Sequence, residues 1–197
     1  MFKYVYINII SMLKHFTTKE LIFIALMSAL IFIINVVIGS IVISITGIPL
    51  SNAFVTGITM GLGVLLIIKI VPKFGSLTLF LLIYSILSIP TSLGGAPGFW
   101  PKIPINTISG LLGDLFLLTA RYRLWSLFLG FYIITTANIS AFLFFLWLLA
   151  LPAIQKTISI AHWLLLAYWI LGTVGILIGM FIWNKLKDKR ILLQISQ

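Results

Sequence analysis

Few residues in this chain can do chemistry, and their spacing narrows the choice further. Asn106, Gly110 and Asp114 stand at i, i+4 and i+8, so on a helix they share one face. Lys102, Asn138 and His162 add an ammonium, an amide and an imidazole, accompanied by Trp100, Trp147, Trp163, Tyr168 and Trp169. Such a set suits gripping a small solute, by aromatic stacking with a few directed hydrogen bonds. It does not suit breaking bonds. There is no G-x-x-x-x-G-K-S/T loop to cradle nucleotide phosphates and no G-x-S-x-G nucleophile turn. A di-aspartyl site needs two carboxylates inside the bundle, and Asp114 stands alone there. His15 and His162 are too far apart in sequence for an H-E-x-x-H zinc site. With Cys 0, disulfides, thiolate metal sites and a cysteine nucleophile are excluded. The expectation is a non-enzymatic protein with no metal and no cofactor.

The elements that must position these residues are membrane helices. The chain has 197 residues, is 61% hydrophobic and 8% charged, and has a mean hydropathy of +1.24. A soluble domain cannot bury that much apolar surface. Residues 21–38, LIFIALMSALIFIINVVI, carry no charge and are long enough to cross a bilayer. Further apolar stretches run over about 53–71, 76–89, 105–120, 125–151 and 161–183. The predicted fold is an all-α membrane protein of six transmembrane helices in one bundle, over residues 17–185. Residues 1–16 read as a short amphipathic helix at the interface, and 186–197 as a basic tail.

Net charge is +10, from 13 Lys+Arg against 3 Asp+Glu. The cations flank the apolar stretches, so they report topology and lipid contact, not nucleic acid. Counting by span, Lys3, Lys14, Lys19, Lys69, Lys73, Arg121, Arg123, Lys185, Lys187, Lys189 and Arg190 share one side, against Lys102 and Lys156 on the other. That asymmetry predicts both termini in the cytoplasm, in the plasma membrane. The opposite mouth is then formed by residues 39–52, 90–104 and 152–160. Residues 39–52 are either an apolar lid or extensions of the flanking helices. Four prolines and three glycines in 90–104 argue against helix there.

Each candidate also has a plainer role. Trp and Tyr gather at head-group depth in any membrane protein. Asp114 is expected near the cytoplasmic end, paired with Arg121 or Arg123, while Asn106 is expected to touch solute. His162 could bind, titrate or begin the sixth span. Lys102 could meet an anionic group of the solute or sit among outer head groups. Gly57 with Gly61, and Gly175 with Gly179, are small-residue pairs that let helices approach closely.

Six short spans, an outer pocket and Ala25-Leu-Met-Ser-Ala29 early in the first span resemble the S components of energy-coupling factor (ECF) transporters. The resemblance covers about residues 17–185. It implies a solute-binding subunit for a vitamin or vitamin precursor, with the pocket in the outer halves of spans four to six and the outer loops. It also implies partners: a transmembrane coupling protein docked on Ala25 and Ala29, and two cytoplasmic ATPases. Two histidines argue against a nickel or cobalt solute. A stand-alone small-solute facilitator and a ligand-free membrane scaffold are the alternatives.

Overall fold

The computed structural model describes residues 15–46, 52–93, 97–120, 123–149 and 154–186. The segments read from sequence as an interfacial helix and a basic tail therefore lie almost wholly outside the described residues. Among the described residues, six helices form an all-α bundle: α1 Thr18–Thr46, α2 Asn52–Ile70, α3 Ser76–Ser88, α4 Lys102–Thr119, α5 Leu124–Leu148 and α6 Ile154–Leu186. Helices α1, α5 and α6 contain segments long and apolar enough to cross a membrane, and α2 and α3 contain shorter apolar ones.

Helix α1 starts at a reciprocal cap. Thr17 N–H donates to Glu20 Oε2 at 2.7 Å, and Glu20 N–H donates to Thr17 Oγ1 at 3.3 Å. Two otherwise orphaned donors are thereby satisfied. The same carboxylate pairs with Lys73 at 2.6 Å, which ties the start of α1 to the α2–α3 turn. Beyond residue 38 the helix continues to Thr46, for 29 residues or about 44 Å. The single Gly39 is tolerated, Gly47 and Pro49 lie beyond the end, and the Ser44 hydroxyl is absorbed by the Ser40 carbonyl at 2.8 Å. Residues 39–46 are thus a helix extension and not a folded-back lid, while 47–51 lie outside the described residues.

Helix α2 packs along α6 through glycine. A Cβ on Gly61 would strike the Gly172 carbonyl, and one on Gly175 would strike the Ile58 carbonyl. The two backbones touch, so both small-residue pairs are consumed inside the bundle. Around this seam, α3 packs on α4, α4 on α5, and α1 on α2 and α3. Ile31, Val64, Phe80, Leu117, Phe131 and Ile176 are fully enclosed at the centre.

Helix α4 secures both ends of α3. At the N-terminal end, Asp114 accepts from Leu77 N at 3.2 Å, Thr78 N at 2.9 Å and Thr78 Oγ1 at 2.6 Å. This corrects the expected pairing with Arg121 or Arg123. Arg123 is exposed, Arg121 lies outside the described residues, and the acidic group instead serves the positive end of the α3 dipole. At the other end of α3, Lys102 Nζ donates to the carbonyls of Ser88 at 3.0 Å and Thr91 at 2.7 Å.

Helix α4 also begins earlier than its prolines suggest. Lys102, Ile103 and Pro104 are helical, although 90–104 was expected to be irregular throughout. Pro104 falls in the first turn, where a missing N–H breaks no intrahelical bond. Likewise α6 starts at Ile154, inside the stretch expected as the 152–160 loop.

Candidate solute pocket

One end of the bundle gathers the C-terminal ends of α3 and α5 with the N-terminal ends of α2, α4 and α6. A cavity of about 270 Å³ opens there. Ligand pockets run from about 300 to 1,000 Å³, so it suits a small solute. Five helices contribute to its wall. Met60, Val64, Phe131, Ile134 and Leu164 form the apolar part, and Thr56, Tyr84, Ser88, Thr135 and Tyr168 add hydroxyls. Ser92 and Leu93 of the α3–α4 connection also line it. That connection is held by Gly98 N–H donating to Ile89 O at 2.8 Å and by Phe99 packing edge-on to Phe142 at 6.0 Å.

The polar corner is built by α4 and α5. Lys102 is 2% exposed. Four residues on, Asn106 Nδ2 donates back to the Lys102 carbonyl at 2.9 Å. Asn138 Nδ2, from α5, donates to Asn106 Oδ1 at 2.9 Å. All three line the cavity. Across it, Tyr168 on α6 is hydrogen-bonded to Thr56 on α2. Tyr84 is tied to α1: Asn35 Nδ2 donates to its hydroxyl at 3.1 Å, and Asn35 Oδ1 accepts from Thr59 on α2 at 2.6 Å.

Of the sequence candidates, Lys102, Asn106, Asn138 and Tyr168 come together in the wall. Trp100, Trp147, His162 and Trp163 do not. Trp100 is 59% exposed and packs edge-on to Phe145. Trp147 and Trp163 are each 66% exposed, and His162 lies against Trp163 with ring centroids 5.1 Å apart. These four face outward near the same end, where an interfacial belt would lie. Trp169 is engaged internally, donating from Nε1 to Thr135 Oγ1 at 3.1 Å.

The wall also draws on α2 and α3, whereas the family resemblance implied spans four to six with the outer loops. Tyr84 and Ser88 stand four residues apart on α3, a polar pair on one face of an apolar helix, and that spacing was the available signal. Thr56 and Thr135 carried none, because threonine in a membrane helix commonly bonds its own backbone. On α1, Ala25 and Ala29 are partly exposed, at the margin of a face made by Ile22, Leu26, Leu30, Ile33 and Val37.

Apolar helices and a semi-enclosed pocket at one end define a helical integral membrane protein with room for a small ligand. The chain belongs to the Trep_Strep family, described as a hypothetical bacterial integral membrane protein, whose family model matches residues 18–189. Neither the curated proteins nor the solved structures contain a match.

Proposed function

We propose that this chain is the solute-binding S component of an ECF-type importer in the plasma membrane, with both termini cytoplasmic. The observation carrying this reading is the cavity at one end of the bundle, walled by five helices, with Lys102, Asn106 and Asn138 on one side of it. A vitamin or vitamin-precursor solute is of the size that such a space takes. The chain catalyses no reaction in this reading. Energy comes from two ATPases through a transmembrane coupling protein that docks on α1 at Ala25 and Ala29. The exposed apolar face beside them is compatible with that role. The scaffold alternative loses its main support, because Gly57, Gly61, Gly175 and Gly179 already face neighbours within the chain.

Thermal unfolding of the purified chain against a vitamin panel and a cell-metabolite extract tests the binding reading. A raised midpoint with at least one addition is expected, and no response to any would overturn it. Docking is tested separately. Ala25→Leu with Ala29→Leu should abolish co-purification with a co-expressed coupling protein while leaving solute binding intact. Undiminished co-purification would remove the docking claim.

A further inference from the structure

Lys102 is the one buried cation among the described residues. Burying an ammonium is costly unless it is paired and hydrogen-bonded. The sequence has three acidic residues, and neither of the two among the described residues serves it. Glu20 is bound to Lys73, and Asp114 is bound at the start of α3. The third side-chain carboxylate, Asp188, lies outside the described residues. Among the described residues Lys102 therefore has hydrogen bonds but no counter-charge.

Its donors are also not exhausted. An ammonium has three N–H groups, and the Ser88 and Thr91 carbonyls take two. Asn106 spends one amide N–H on the Lys102 carbonyl, and Asn138 spends one on Asn106. A second N–H on each amide and the Asn138 carbonyl oxygen remain. One positive charge, several neutral donors and an acceptor thus stand together on a cavity wall.

We propose that the solute carries a single carboxylate that neutralises Lys102, with the Asn106 and Asn138 amides beside it. The rest of the solute lies against Phe131, Ile134 and Leu164. This inference rests on the solute-binding reading. Charge balance selects a carboxylate over a phosphate ester: a phosphomonoester carries about −1.5 to −2 at neutral pH and would leave unmatched negative charge in the pocket.

The test uses the full chain in detergent and the low-molecular-weight diffusate of yeast extract, split on an anion exchanger at alkaline pH into bound and unbound fractions. The bound fraction should raise the unfolding midpoint. Treating that fraction with carbodiimide and methylamine, which converts carboxylates to amides, should abolish the effect. Lys102→Gln retains an N–H donor for the Ser88 or Thr91 carbonyl but no charge. It should keep its unliganded midpoint to within a few degrees and bind the fraction at least tenfold more weakly. Should this variant not fold, the fractionation and blocking arms decide on wild-type protein alone. A stabiliser confined to the unbound fraction, one that survives amidation, or an undiminished response in Lys102→Gln overturns the carboxylate while leaving solute binding in place. Stabilisation by added phosphatidylglycerol and by neither fraction assigns the charge to lipid and overturns the proposal. No stabilisation by any addition overturns this inference and the solute-binding reading together.

Discussion

Asp114 and Lys102 invite direct comparison. Both belong to α4, both are buried, and each serves one end of α3. Twelve residues separate them, about 18 Å along the helix, close to the roughly 20 Å of the 13-residue α3. The acid meets the positive end of the α3 dipole and the base meets the negative end. The difference lies in what is left over. Asp114 receives two backbone amides and a hydroxyl, and it is absent from the cavity wall. Lys102 donates to two carbonyls, retains an N–H and lines the cavity. One charged group is closed and structural, while the other holds the same helix in place and remains open to a ligand.

The largest effect is expected at the closed end. Asp114→Ala strands two backbone donors and a hydroxyl inside the bundle and should destabilise the protein by about 3 kcal/mol. Solute affinity of the folded fraction should be unchanged, as measured by chemical unfolding alongside ligand titration. A comparable loss of affinity would erase the distinction between the two ends. Lys102→Gln should show the reverse balance, with a stability loss of only about 1 kcal/mol.

Asn138→Ala sharpens the comparison by leaving both caps intact. It removes the amide that holds Asn106 and should weaken solute binding by about 1–3 kcal/mol, read by titration, with stability nearly unaltered. The smallest effect belongs to Trp163→Ala. This side chain faces outward and lines no part of the pocket, so affinity should stay within about twofold, equivalent to roughly 0.4 kcal/mol. A tenfold loss would move the pocket toward the aromatic belt.

The helices were legible because long uncharged stretches leave few alternatives. The reciprocal Thr17–Glu20 cap follows a local signature, a threonine with a glutamate three residues on. Their exact ends were less so. Prolines at a helix start and apolar residues past a membrane's width are both compatible with helix, and only tertiary contacts settle how far it runs. Within the pocket, Lys102, Asn106 and Asn138 stood out because polar groups are rare in this chain. Trp100, Trp147 and Trp163 stood out equally, since one residue type serves both stacking on solutes and anchoring at lipid head groups. The partner of Asp114 was invisible for a different reason. It is mostly backbone, and an amide of Leu77 leaves no mark in a residue string.

The Asn35 side chain has a consequence for the opposite side of its helix. At about 100° per residue it lies roughly 160° around α1 from Ile33 and Val37, on the inward side. There it is held by Tyr84 and Thr59. Turning α1 about its own axis would carry that amide toward hydrocarbon, strip the buried Tyr84 hydroxyl of its partner and break the Thr59 bond. The amide therefore acts as a key in a keyway. It fixes the rotational setting of α1, so the margin carrying Ala25 and Ala29 always faces outward at the same angle.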